Sequence, residues 1–297
     1  MNLEIFDFYK NTSPYTELGL YKKFAVSLTN NIKELCYLQR KQIIHPINLI
    51  DNNRFDDNIF FGDKTKIPYT RLNNEDDIYP TALSMIAELF RKDNNYTENR
   101  KVEDKIHITC RGQAILLAAI LKAKGIPARV RSGFTLFKNE GVYHDHWITE
   151  YYGGSEKKWI LVDADMCCND LDFNPYDIPK DYFLTAAKAY LNIRNNILKP
   201  EQIYSAEFEY NSREKYIIPT IVKALMYDFH CLMNNEIIYL HYPKYFKEKN
   251  FILNEYDYEE LEYLSKLMLE PNDNFEELME IWNNNEKYRI MCGGLNH

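Results

Sequence analysis

Between Thr109 and Phe134 the chain reads TCRGQAILLAAILKAKGIPARVRSGF, and the middle of that run is its most apolar stretch. From Cys110 to about Lys124, apolar residues (Ile115, Leu116, Leu117, Ile120, Leu121) fall on nearly every face of a helix. A helix that is hydrophobic all round must be wrapped by other elements. Its ends are marked as well: Thr109 suits an N-cap, Lys122 and Lys124 complement the C-terminal dipole, and Gly125 fits the left-handed position beyond it. A thiol, Cys110, stands at the mouth of this helix.

Three β-branched and aromatic runs follow, at Ala128–Phe137, Tyr143–Tyr152 and Lys158–Asp163, separated by 139–141 and by Gly153-Gly154-Ser155. Gaps that short predict an antiparallel meander packed beside the helix. Helical spacing recurs from about Thr16 to Gln42 and, opened by Pro80, through Ala82 to Phe90, with an irregular Asn- and Asp-rich stretch at 47–78 between them. After Pro179 it returns over Asp181–Asn195, Arg213–Asn234 (interrupted near Pro219), Glu255–Leu269 and Asn274–Glu286. The reading is an α+β fold, divided into an N-terminal helical extension (1–75), a core (76–200) and a C-terminal helical region (201–297).

With 297 residues, 45% of them hydrophobic, the chain can bury a substantial core. The net charge is −8 and no dense basic stretch occurs, which argues against nucleic-acid binding. No window reaches eighteen uninterrupted apolar residues and MNLEIFDFYK is not a secretory signal, so the expectation is a cytoplasmic protein that does not engage membranes. Six cysteines without a CxxC pair read as free thiols in a reducing compartment; Cys167-Cys168 reads as core filler or an accident of the surface.

A thiol becomes a good nucleophile only when ionised, and the positive end of a helix and a neighbouring imidazolium both promote that. Among seven histidines, His144 and His146 lie in YHDHWITEYY. Two residues apart on a strand, they share a face, so periodicity does not choose between them. Asp163 and Asp165 share a face in KWILVDAD in the same way, and an antiparallel pairing can set a histidine against a carboxylate. A zinc site from His144, His146, Asp163, Asp165 and Cys167 is the competing reading, weakened because only the HxH half has ligand spacing.

CRGQAILLAAILKAKGIPARVRSGF, HWITEYY and WILVDAD together resemble the three signature blocks of the transglutaminase-like superfamily, related to papain-type enzymes. The resemblance covers roughly 80–170 and implies that core fold, with helical additions at both ends. In the family the histidine is followed at +4 by Glu and at +6 by Tyr, which His146 meets through Glu150 and Tyr152, and an aspartate stands four residues after Trp, as Asp163 does after Trp159. The resemblance therefore implies Cys110 as nucleophile, His146 as base and acid, and Asp163 as the carboxylate orienting it. His144, Trp147 and Asp165 become residues of the substrate region or of the triad's surroundings.

Two departures stand out: Ile148 replaces the usual Trp two residues after the histidine, and Asp163-Ala164-Asp165 replaces Asp-Pro-Thr/Ser. Family members often add an upstream Trp or Gln as an oxyanion donor. Here every Trp (147, 159, 282) lies downstream of Cys110 and the upstream glutamines are Gln39 and Gln42, so that donor stays unassigned. The implied reaction is acyl transfer at a peptide or protein amide through a thioester. Hydrolysis, as in a cysteine peptidase or amidase, is favoured over transglutaminase-type amine transfer because no calcium loop is present. No cofactor is implied. A non-catalytic binding module that keeps the fold is the reading from another class.

Overall fold

The computed structural model describes residues 3–50, 60–137, 141–205, 213–239, 241–249 and 252–290. Helix α5 (Cys110–Ala123) is its centre, with every residue from Cys110 to Lys122 buried. Around it packs a curled sheet of β3 (Ala128–Leu136), β4 (Tyr143–Gly153), β5 (Lys158–Val162) and β6 (Phe183–Thr185), in the order β5-β4-β3-β6. The meander is antiparallel throughout, with Gly133 opposite His146 and Thr149 opposite Val162. A short β7 (Ile203–Tyr204) adds to β4 in parallel, beside Tyr143 and His144. Gly125, at φ +76, lets the chain turn back from α5 into β3, as only a residue without a side chain does cheaply.

The N-terminal segment shares the core of α5. Leu35 and Cys36 of α3 (Ile32–Arg40), and Met85, Ile86 and Leu89 of α4 (Ala82–Lys92), are buried in the same cluster as Leu116 and Leu117. β1 (Ile43–Ile44) runs parallel to β2 (Ile106–His107), which brings chain around position 45 to the start of α5. A second cluster joins Phe134 to α6 (Ala186–Arg194), α7 (Arg213–Leu232) and α8 (Glu255–Leu269). Helix α1 (Leu3–Lys10) packs Ile5 and Tyr9 against Phe275 at the start of α9 (Phe275–Asn284).

The structure changes several element boundaries. The single helix expected over 16–42 is two, α2 (Lys22–Ser27) and α3. Leu28 turns extended, and Asn31 starts α3 afresh by accepting hydrogen bonds from the backbone N–H groups of Lys33 and Glu34. The α2 end is held from outside, since Lys124 Nζ donates to the Val26 and Leu28 carbonyls at 3.0 and 2.6 Å. In the stretch expected to be irregular, 51–59 lie outside the described residues. Over 181–195 the first residues form β6 and the helix begins only at Ala186, capped by Thr185. Helix α7 runs unbroken through Pro219, which sits near its start. Thr109 occupies the N-cap position of α5, but its side chain makes no capping bond. Its hydroxyl donates instead to Asp76 Oδ1 at 3.1 Å, and its N–H faces both oxygens of that carboxylate.

Among the described residues no helix is long and apolar enough to cross a membrane. The described cysteines (36, 110, 167, 168 and 231) are free thiols; Cys292 lies outside the described residues.

Candidate active site

Cys110 is the first residue of α5, so its N–H has no intrahelical carbonyl to meet, and the helix dipole is positive there. Gly112 two residues further on allows a close approach: a Cβ added there would collide with Ile108 Cγ2 and stand 3.3 Å from Asp76 Oδ1. The strand leading into α5 can therefore lie tightly on its first turn. Strand β4 is tied to the same turns, because Thr149 Oγ1 donates to the Ala114 carbonyl at 2.9 Å.

That tie brings His146 to the sulfur. His146 is 5% exposed, and its Nε2 lies 2.7 Å from Asp163 Oδ2. Burial pulls its pKa down, but the charges of Asp163 and Cys110 and hydrogen bonds to both raise it well above the ordinary histidine value. Cys110 moves the opposite way. Burial pushes the thiol up, yet the charge and hydrogen bond of His146, reinforced by His45, bring it below its ordinary value. The two shifts reinforce one another, since each group's charged form favours that of its neighbour.

Asp163 is not on the strand. β5 stops at Val162, and Asp163 Oδ1 accepts the N–H groups of Asp165 and Met166 at 2.9 and 3.0 Å, forming a turn. One carboxylate oxygen is fixed by main chain while the other takes the histidine. The shared strand face expected for Asp163 and Asp165 is therefore absent, because the first aspartate ends the strand. Asp165 turns elsewhere: its Oδ1 accepts from Gln113 Nε2 at 2.5 Å and lies 3.8 Å from Arg40 Nη1, and its Oδ2 is 3.8 Å from His45 Nε2.

His144 stands two positions before His146, with its ring against Phe137 and Tyr204 at centroid distances of 5.6 and 4.9 Å. Phe137 also meets His146 at 5.8 Å, so one aromatic ring spans both histidines. Trp147 packs on Tyr227 of α7 and on Tyr239. The upstream glutamines are committed elsewhere. Gln39 Nε2 donates to the Gln113 carbonyl, and Gln42 Nε2 donates to the carbonyls of Leu38 and Thr97. Among the described residues, no group of three or more His, Cys, Asp or Glu is arranged to hold a metal ion.

Three contributors to the site lie outside the signature blocks. His45 reaches it through the β1–β2 pairing. Asp76 holds the helix mouth through Thr109. Tyr239 places its hydroxyl 3.7 Å from Cys110 Sγ and 3.5 Å from Thr109 Oγ1. Tyr239 is carried there by Arg111, a buried guanidinium that donates to the carbonyls of Glu236 and Ile237 at 2.5 and 2.8 Å. The result is a cysteine 7% exposed, flanked by two imidazoles and roofed by a phenol.

The part of the chain that supplies the thiol, the histidine and the aspartate agrees with a known family. A model of the transglutaminase-like superfamily matches residues 74–164. Residues 74–164 carry a transglutaminase-like core. No curated protein matches the sequence. Among solved structures, the chain is similar to the crystal structure of a candidate cysteine protease from Cytophaga hutchinsonii, at 16% identity and a TM-score of 0.35. That similarity covers 62% of this chain and 46% of the other, so the chain spans less than half the length of that protein. The transglutaminase-like segment includes α4, α5 and β2 to β5, whereas His45 and Tyr239 come from outside it.

Proposed function

We propose that the protein transfers acyl groups from peptide or protein amides through a thioester on Cys110, with water as the acceptor. The observation that carries this reading is the arrangement at the mouth of α5, where a thiol on the first residue of the helix stands beside an imidazole whose Nε2 is 2.7 Å from the Asp163 carboxylate. A buried thiol would ordinarily be harder to ionise, yet Cys110 is easier to ionise because His146, held by Asp163 at 2.7 Å, sits beside it.

The thiolate attacks the amide carbonyl carbon, forming the C–S bond and moving the carbonyl π pair onto oxygen. Collapse of this intermediate breaks the C–N bond, and His146 gives its proton to the departing amine. His146 then takes a proton from water as it attacks the thioester, which releases the acid and restores the thiol pair. Asp163 holds the Nε2 side of the ring throughout, fixing its tautomer and stabilising the imidazolium.

The test uses p-nitrophenyl acetate as a general acyl donor. Wild-type protein should release a stoichiometric burst of p-nitrophenolate and carry the acetyl group on Cys110 by mass spectrometry; Cys110→Ala should do neither. Adding glycine methyl ester separates the acceptors: hydrolysis leaves acetate as the product, whereas N-acetylglycine methyl ester in preference to acetate would indicate amine transfer. A wild-type burst that survives in Cys110→Ala would end the nucleophile assignment.

A further inference from the structure

The tetrahedral intermediate of any acyl transfer places negative charge on the former carbonyl oxygen, and a site that performs it needs donors aimed at that oxygen. The Cys110 N–H at the helix start is one. We infer that His45 is the second: its Nε2–H donates to the oxyanion, with Asp165 as the residue that positions the ring. The inference rests on the acyl-transfer reading above and adds a catalytic residue to it.

The ring's geometry fixes its tautomer. His45 Nδ1 accepts the backbone N–H of Ile47 at 3.2 Å, so in the neutral ring the proton sits on Nε2. Burial pulls the His45 pKa down, but the charge of Asp165 and the Cys110 sulfur beside it raise it; with Nδ1 taken by the main chain, Nε2 is the ring atom left to face that sulfur. Asp165 Oδ2 is 3.8 Å from the same nitrogen, too far to take its proton as a full hydrogen bond and near enough to favour a positively polarised ring. Asp165 is itself held from the opposite side by Gln113 and Arg40. The rest of the setting is fixed too. Pro46 follows His45 directly, β1 pins Ile43 and Ile44 to Ile106 and His107, and α5 starts three residues after His107.

The two histidines divide the chemistry. His146 gives its Nε2–H to Asp163, which leaves Nδ1 as the ring atom that can take the thiol proton. His45 gives Nδ1 to the main chain and keeps Nε2–H as a donor. One ring is set up to accept a proton at the sulfur and the other to donate a hydrogen bond next to it. The two glutamines upstream of Cys110 have their amides engaged elsewhere, as described above, so neither competes for the role.

Two reagents that attack the same sulfur differ only in whether an oxyanion forms. p-Nitrophenyl acetate forms one as the C–S bond is made, before p-nitrophenolate leaves. Iodoacetamide does not: the C–S bond forms as the C–I bond breaks at a saturated carbon. Both react with the thiolate alone, so the ratio of their rates at Cys110 is independent of how much thiolate is present. For His45→Ala, that ratio should fall by about a hundredfold or more, the usual cost of removing one oxyanion donor. His45→Gln, which keeps an N–H at a similar reach, should recover a substantial part of it. Asp165→Asn should lower the ratio in the same direction by a smaller factor, whereas a general loosening of the site would slow both reagents together.

An unchanged ratio in His45→Ala overturns the assignment, whether both rates hold or both fall equally; in the second case His45 serves the thiolate. Failure of the underlying acyl-transfer reading is seen separately, on wild-type protein alone. If Cys110 reacts with neither reagent faster than an ordinary thiol, that reading fails and the donor role falls with it.

Discussion

Replacing Asp163 by Asn changes the site by a single atom type and should disable the thiol at neutral pH. In the wild type, Asp163 Oδ1 accepts two main-chain N–H groups and Oδ2 accepts His146 Nε2–H. Asn can keep its oxygen on the two main-chain donors, but its NH₂ then faces Nε2 and can only donate. The ring must present a lone pair there and carry its proton on Nδ1, the atom facing sulfur. The negative charge that sustains the imidazolium is lost at the same time. At an effective dielectric of about 20, charges roughly 4 Å apart attract by about 4 kcal/mol. At 1.36 kcal/mol per pKa unit, that is about three units taken from the ion pair.

The assay is alkylation by iodoacetamide, read on the Cys110 peptide by mass spectrometry. Peptide resolution matters because Cys168 is also held below its ordinary value, by hydrogen bonding from Cys167 and, against burial, by Arg40 and Lys41. At about pH 6 the Asp163→Asn rate should fall roughly a hundredfold or more, and the gap should narrow as the pH rises past the ordinary thiol midpoint of about 8.5. Equal rates at the acidic end would refute the claim that the Asp163 charge reaches the sulfur through His146.

Other expectations follow from charges away from the site. Arg131 bonds both oxygens of Asp228, at 2.8 and 2.9 Å, and both residues are buried. Arg131→Met should lower stability by about 3–5 kcal/mol in urea unfolding, because it strands a buried carboxylate, whereas Arg131→Met with Asp228→Leu should cost less than the single change. Equal losses would show that the charge pairing is not what Arg131 supplies. His230 is fully buried, with Nε2 2.8 Å from the Tyr288 carbonyl, and burial holds its pKa down to about 4. The unfolded chain then binds the extra proton between about pH 6.5 and 4, so stability falls as pH falls through that window, by roughly 3 kcal/mol in all. His230→Gln should flatten that part of the stability profile, and an unchanged slope would remove His230 as its cause.

What the sequence made legible was local. The all-apolar faces of 110–124 required a buried helix, and short Gly-rich gaps between β-branched runs required a meander; both elements formed where expected. The choice of His146 over His144 depended on the spacing of Glu150 and Tyr152, since strand alternation treats the two histidines alike. The alternation that would put Asp163 and Asp165 on one strand face stops at Val162, because the Asp163 side chain captures the next N–H groups and ends the strand. His45, Asp76 and Tyr239 arrive by contacts that no local pattern announces. Ile43-Ile44 looks like any short apolar pair until it lies beside Ile106-His107 and delivers His45 to the thiol. Tyr239 depends on a buried arginine in α5 holding carbonyls more than a hundred residues away.

The most direct measurement is a thiolate titration, taking the ultraviolet absorbance difference between wild type and Cys110→Ala as pH is varied. The two-histidine site predicts that the Cys110 signal titrates below the ordinary thiol midpoint of about 8.5 and that His146→Ala moves it upward. A single midpoint at or above the ordinary value in the wild type, unmoved by His146→Ala, would contradict it.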